Sequence, residues 1–167
     1  DTGFYCIGTL NPAGGFKHRW FDNKEKAYEH ALYMDETGET VYFAQGSFKE
    51  PTNRKSENAA HFCTFFLDID CGESKPFKTQ ADGVAALKTF CKETELPLPS
   101  VVNSGNGLYA YWRLDTAIIA AGWVVVARVL KGLCEQLKFD VDPVRTAERS
   151  SVLRPVGVKN RKNGSER

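Results

Sequence analysis

The stretch His61-Phe-Cys-Thr-Phe-Phe-Leu-Asp-Ile-Asp70 constrains this chain more than any other. A run so rich in Phe, Thr and Ile reads as a buried strand. Side chains alternate along a strand, so Asp68 and Asp70 share a face, about 6–7 Å apart. Two carboxylates that close repel each other unless a cation lies between them. Oxygen-rich clusters of this kind suit Mg²⁺ or Mn²⁺, which are commonly shared with substrate phosphates. The plainer alternative is a pair of solvent-facing aspartates where the strand ends. The rest of the chain has to decide between the two.

A length of 167 residues allows one domain, or two small lobes sharing a core. No stretch approaches the roughly 18 consecutive apolar residues that a membrane span needs, and no signal peptide is visible. The start at Asp1 and the polar end Asn163-Gly-Ser-Glu-Arg167 suggest a piece of something longer. Cys6, Cys63, Cys71, Cys91 and Cys134 are odd in number and form no C-x-x-C pair. A reducing compartment fits them best, and most are expected to be small core residues. The net charge of +1 hides an excess of basic residues after Arg145, which suits a polyanionic partner or a solvated tail.

Residues 4–10 read as a strand, 11–15 as a turn, and the segment from Asn23 to Thr37-Gly38 as a helix with Asn23 as N-cap. Thr40–Ala44 is a second strand, so residues 1–48 are expected to form a β-α-β unit. Residues 47–59 form a polar loop that brings Arg54 or Lys55 towards a phosphate, or is simply an exposed connection. A second loop, 72–78, carries Lys75 and Lys78 beside the presumed metal face. Gln80–Glu93 is a helix, stopped by Leu96-Pro-Leu-Pro99. Two strands, 100–103 and 108–114, flank Ser104-Gly-Asn-Gly107, either a hairpin turn or a phosphate cradle. Asp115-Thr116 is expected to cap the longest helix, reaching about Lys138, with a core stripe of Ile119, Trp123, Val126, Leu130, Leu133 and Leu137. Phe139-Asp-Val-Asp-Pro143 supplies a second acidic pair. Asp142 could be a turn residue, but a third carboxylate near positive groups is what two-metal phosphoryl chemistry requires.

Three stretches in this order resemble the archaeo-eukaryotic primase (AEP) superfamily, in particular the primase-polymerases of phages and plasmids. That family has an apolar strand ending in Asp-x-Asp, a Ser-Gly-x-Gly-Leu-His-x-Tyr-Trp element, and an acidic residue before an Arg-x-Pro-Gly-Thr-x-Asn-x-Lys-like stretch. The matching segments are Leu67-Asp-Ile-Asp70, Ser104-Gly-Asn-Gly-Leu-Tyr-Ala-Tyr-Trp112, and Asp142 followed by Leu153-Arg-Pro-Val-Gly-Val-Lys-Asn-Arg-Lys162. The likeness covers roughly residues 40–163. The family histidine falls on Tyr109, which can donate a hydrogen bond but carries no positive charge at neutral pH. The family's Pro-Gly-Thr is replaced by Pro155-Val-Gly-Val158, which loses a hydroxyl.

The resemblance implies an α/β AEP-like fold, with an N-terminal αβ lobe (about 1–58) packed on an RRM-like lobe (about 59–163) and the acidic site in the cleft. It implies a single catalytic domain belonging to a longer primase-helicase in the cytoplasm of a bacterial or phage-infected cell. The implied activity is template-directed nucleotidyl transfer, making or extending primers on single-stranded DNA from NTPs or dNTPs. Asp68, Asp70 and Asp142 would hold two Mg²⁺ or Mn²⁺ ions, with Asp140 and Glu148 as competitors for the third place. Ser104, Gly105, Gly107 and Tyr109 would contact the incoming triphosphate, joined by Arg149, Arg154, Asn160 and Lys162. The basic tail and the Lys75–Lys78 loop would follow the template backbone. Two other classes fit the same residues: a non-catalytic single-stranded nucleic-acid-binding module, and a metal-dependent nuclease.

Overall fold

The computed structural model describes residues 3–10 and 15–161. Contacts within the chain define two units. Unit 1 takes residues up to Phe62, the short segment Ala117–Ala120 and the residues from Arg149 onwards; unit 2 takes Cys63–Thr116 and Ala121–Glu148.

Unit 1 is built on an antiparallel sheet of strands β1 (Tyr5–Leu10), β2 (Phe16–Phe21), β3 (Thr40–Ala44) and β8 (Val152–Leu153), in the order β2-β1-β3-β8. Strand β2 corrects the expected β-α-β order to β-β-α-β. Its Lys17, His18 and Arg19 are all exposed, so as a sheet edge it lacks the apolar alternation that marks a strand in sequence. Helix α1 (Lys24–Glu36) begins as expected, with the Asn23 side chain accepting a hydrogen bond from the Lys26 amide at 2.9 Å. Its Ala27 and Ala31 pack on Ile7 and Val41, on one face of the sheet. Tyr28 faces outwards instead, and its hydroxyl donates to the Val156 carbonyl. The polar loop after β3 contains a short strand, β4 (Gly46–Phe48), paired with the first residues of β5 (Ala59–Asp70).

The last described residues of the unit are held by Asp35. Its carboxylate accepts from the Lys159 amide at 3.0 Å and pairs with Arg161, whose guanidinium also donates to the carbonyls of Asp35 and Glu39. Arg161 therefore works as a tether, not as part of a solvated basic tail. Residues 162–167, including Lys162, lie outside the described residues.

Unit 2 sets the rest of β5 beside β7 (Gly107–Ile119), which in turn pairs with β6 (Ser100–Asn103). Helix α2 (Gln80–Thr94) starts with a capping box, Thr79 and Asp82 each bonding the other's backbone amide. Leu67 and Ile69 from β5, Leu87, Phe90 and Cys91 from α2, Leu108 and Ala110 from β7 and Phe139 share one core. Burying a large apolar side chain of this kind contributes roughly 1.5–3 kcal/mol.

The last helix differs from expectation. Strand β7 runs on through Asp115 and Thr116 to Ile119, because Thr116, Ile118 and Ile119 are β-branched and favour extended backbone. Helix α3 (Ala120–Gln136) then follows directly. Its buried stripe is Trp123, Ala127, Leu130 and Cys134, while Ile119, Val126 and Leu137 are exposed. Trp123 sets that rotation: its indole N–H donates to the Thr64 carbonyl at 2.8 Å and its ring stacks on Phe65 and Phe66. Four of the five cysteines are buried and none forms a disulfide. Among the described residues, no helix is long and apolar enough to cross a membrane.

Candidate active site

The carboxyl end of β5 and the loop after α3 form the acidic site of unit 2. Residues 139–142 are not a strand, so Asp140 and Asp142 are not set on one face by alternation. A backbone hydrogen bond positions the loop instead: the Asp142 amide donates to the Asp68 carbonyl at 2.9 Å. Asp142 then caps a turn, one carboxylate oxygen accepting from the amides of Val144 and Arg145 at 2.9 and 3.2 Å. Thr146, almost fully buried, closes the turn by donating its hydroxyl to the Asp142 carbonyl.

This turn delivers Arg145 to the carboxylates. Its Nε lies 3.2 Å from Asp68 Oδ2 and 2.8 Å from Asp142 Oδ2, so one guanidinium bridges both. Burial works against the Arg145 charge, but Asp68 and Asp142, with Tyr109 adding to them, hold it above its ordinary value. Asp70 is more exposed and pairs with Lys75 at 2.6 Å, a contact that raises the Lys75 pKa through the hydrogen bond and charge of Asp70. An exposed pair of this kind contributes about 0–1 kcal/mol and is easily given up. Among the described residues, no group of three or more His, Cys, Asp or Glu side chains is gathered for a metal ion. What the chain gathers is two carboxylates around a cation.

Tyr109 is buried on β7 beside this cluster, its ring edge-on to Tyr111 at 6.2 Å. The Tyr111 phenol is pushed up by burial first, then by Tyr109 and Asp68. The segment Ser104–Gly107 is a hairpin turn between β6 and β7, closed by the Ser104 amide on the Gly107 carbonyl at 3.0 Å. Gly105 has φ 96°, a left-handed conformation suited to glycine, and its amide donates to Asn103 Oδ1 at 2.7 Å. Gly107 allows the closest approach in the site, since a Cβ there would overlap the Ile69 carbonyl oxygen and lie 3.2 Å from Asp70 Cα. The turn is clamped by Gln80, whose amide contacts Asn103 Oδ1 at 2.8 Å and the carbonyls of Gly105 and Gly107 at 3.1 and 3.2 Å.

Of the residues marked in the sequence, Asp68, Asp70, Asp142, Ser104, Gly105, Gly107 and Tyr109 belong to unit 2. Arg149, Arg154 and Asn160 belong to unit 1, with Asn160 buried and Arg154 over the Tyr42 ring at 5.2 Å. Sequence reasoning missed Arg145 as the partner of both aspartates and Gln80 as the clamp of the turn. The Asp-Pro-x-Arg spacing was the available signal for Arg145, because an Asp-capped turn returns the residue three positions on to the capping carboxylate.

The two antiparallel sheets and three helices make an α/β fold of the kind found in AEP catalytic domains. No protein-family model and no curated protein matches the sequence. Among solved structures, the AEP domain of the cyanophage S-2L primase-polymerase aligns with a TM-score of 0.70 at 15% identity, over 98% of this chain and 78% of that one. The catalytic domain of primase RepB′ in complex with initiator DNA aligns with a TM-score of 0.59 at 19% identity, over 97% and 72%. A longer RepB′ primase structure gives 0.59 at 18%, this chain spanning 48% of it. The likeness is one of fold.

Proposed function

We propose that this chain is the catalytic domain of a DNA primase-polymerase, joining nucleotides on a single-stranded DNA template. The observation that carries the reading is the convergence of Asp68 and Asp142 on one cation at the end of β5, in a fold shared with AEP primase domains.

The donor set fits a hard divalent ion. It is all oxygen, and the Arg145 guanidinium stands where a positive charge is already favoured. Asp68 and Asp142, with Asp70 turning from Lys75, would hold Mg²⁺ or Mn²⁺. When bound, such ions lower the pKa of a 3′-hydroxyl and neutralise a leaving pyrophosphate. The rest belongs to the chain. Arg145, once released from the carboxylates, is a cation within reach of the triphosphate. Tyr109, two residues past the end of the Ser104–Gly107 turn that Gln80 fixes, would donate in place of the family histidine. Arg149, Arg154, Asn160 and Lys162 add charge and hydrogen bonds for the nucleotide in this reading, and a helicase partner belongs to it for the full-length protein.

The Arg145 bridge also favours a second reading, in which the guanidinium is a permanent replacement for the metal and the domain only binds nucleic acid. One assay separates the two. The domain is incubated with primed and unprimed single-stranded DNA, Mn²⁺ or Mg²⁺ and labelled NTPs or dNTPs, beside Asp68→Asn and Asp142→Asn. Metal-dependent product that both variants lose is expected. Absence of product alongside tight DNA binding would leave the binding module standing.

A further inference from the structure

The sheet of unit 1 has two unlike faces. Helix α1 covers one through Ala27 and Ala31 on Ile7 and Val41. The strand register puts Phe16, His18 and Trp20 of β2 on the other, beside Cys6, Gly8 and Leu10 of β1 and Thr40 and Tyr42 of β3. None of these residues is acidic. Four rings run across that face: Tyr42 to Phe16 at 5.5 Å, Phe16 to His18 at 5.4 Å, and His18 to Trp20 at 6.3 Å. Gly8 makes the row possible, since the Phe16 ring lies where a Cβ at Gly8 would be. Two guanidiniums flank the row, Arg54 5.6 Å from the Phe16 centroid and Arg154 5.2 Å from that of Tyr42. His18 is exposed and the other three rings are half-buried.

These rings take no part in the α1 core, though Trp20 meets the buried Phe48 edge-on at 5.3 Å, and a face of rings and guanidiniums without carboxylates complements a polyanion that carries flat apolar bases. The exposed faces decide which kind. Neighbouring rings here are tilted by 40–50° and lie side by side on the sheet, whereas the bases of a duplex hide their faces in their own stack. The rings suit bases splayed from an extended single strand, each resting on an aromatic side chain. We infer that the Phe16–His18–Trp20 face of unit 1 is a stacking platform for single-stranded DNA, with Arg54 beside it for the backbone phosphates. This inference rests on the proposed action on DNA and names a template contact on unit 1.

Arg54 Nε donates to His18 Nε2 at 3.4 Å, and burial, then the Arg54 charge, lowers the His18 pKa. The imidazole is thereby kept as a neutral stacking ring with its nitrogen accepting. The test is fluorescence anisotropy of labelled oligo(dT) on the whole chain and on His18→Ala, Trp20→Ala and Trp20→Phe. Each alanine variant is expected to bind roughly tenfold more weakly, while Trp20→Phe, which keeps a ring, stays within about threefold of the parent. An abasic strand of the same length should bind the parent as weakly as oligo(dT) binds the alanine variants. His18 is exposed, so His18→Ala keeps the test valid if Trp20→Ala fails to fold. Parental affinity in His18→Ala, or in both alanine variants, or equal affinity for the abasic strand, overturns the platform and leaves the enzyme reading intact. A parent chain that binds no single-stranded DNA would overturn both.

Discussion

Replacing Arg145 with alanine strips the bridging cation from Asp68 and Asp142 and leaves two carboxylates facing each other. The side chains of Arg145, Asp68 and Asp142 are 38%, 16% and 30% exposed, so the site is neither fully buried nor a surface pair. Breaking a buried ion pair costs about 3–5 kcal/mol, and losing an exposed one about 0–1. The arrangement here falls between, at about 1–3 kcal/mol, after discounting for solvent. For a domain of this size each kcal/mol moves the Tm by about 2–4 °C, which gives a fall of about 2–12 °C in EDTA. Mn²⁺ then acts in the opposite sense. The parent has to surrender two ion pairs to load an ion, whereas Arg145→Ala does not, so Mn²⁺ should raise the Tm of the variant more than that of the parent. Scanning calorimetry with EDTA and with a Mn²⁺ series measures both effects. A variant that melts at or above the parent in EDTA, or gains no more from Mn²⁺, would refute the idea that the guanidinium and a metal compete for these carboxylates.

Two further predictions concern the turn beside the acidic strand. Gln80→Ala removes three contacts to the Ser104–Gly107 hairpin. It should cost about 1–2 kcal/mol and speed amide exchange in the hairpin more than in the rest of unit 2, as measured by hydrogen exchange. Gly107→Ala forces a methyl group onto the Ile69 carbonyl and should destabilise by at least about 1–3 kcal/mol in urea unfolding, whereas Ala at Gly132, with nothing within 4 Å, should be stabilising or neutral.

The acidic strand was legible because period-two alternation and an apolar run state both the strand and its face. The hairpin at Ser104–Gly107 and the cap at Asn23 were legible for the same reason: each is settled by residues within a few positions. Strand β2 was not, because at a sheet edge Lys17, His18 and Arg19 stay in water and erase the pattern. The face of α3 was read in part: Trp123 and Leu130 are buried and Leu133 packs on the core as expected, while small Ala127 and Cys134 take the places given to Val126 and Leu137. Arg145 looked like one of several basic residues facing a polyanion. Its real neighbours follow from the Asp142 amide bonding to Asp68, two residues 74 positions apart (142 − 68). No local pattern encodes that meeting.

The attachment of the last described residues to unit 1 bears on how the protein emerges from the ribosome. Strand β3 receives its outer partner when Val152 and Leu153 reach Ala44 and Phe43. Asp35, whose side chain is 10% exposed, receives its partner when Arg161 arrives from 126 positions further along. Until then the nascent sheet presents an open edge and a carboxylate destined for burial, the two features that invite wrong pairing. Unit 2 has to be synthesised in full before unit 1 can close. The solubility of a shortened or slowly translated chain is thus governed by residues 152–161, even though they lie far in sequence from the strand they protect.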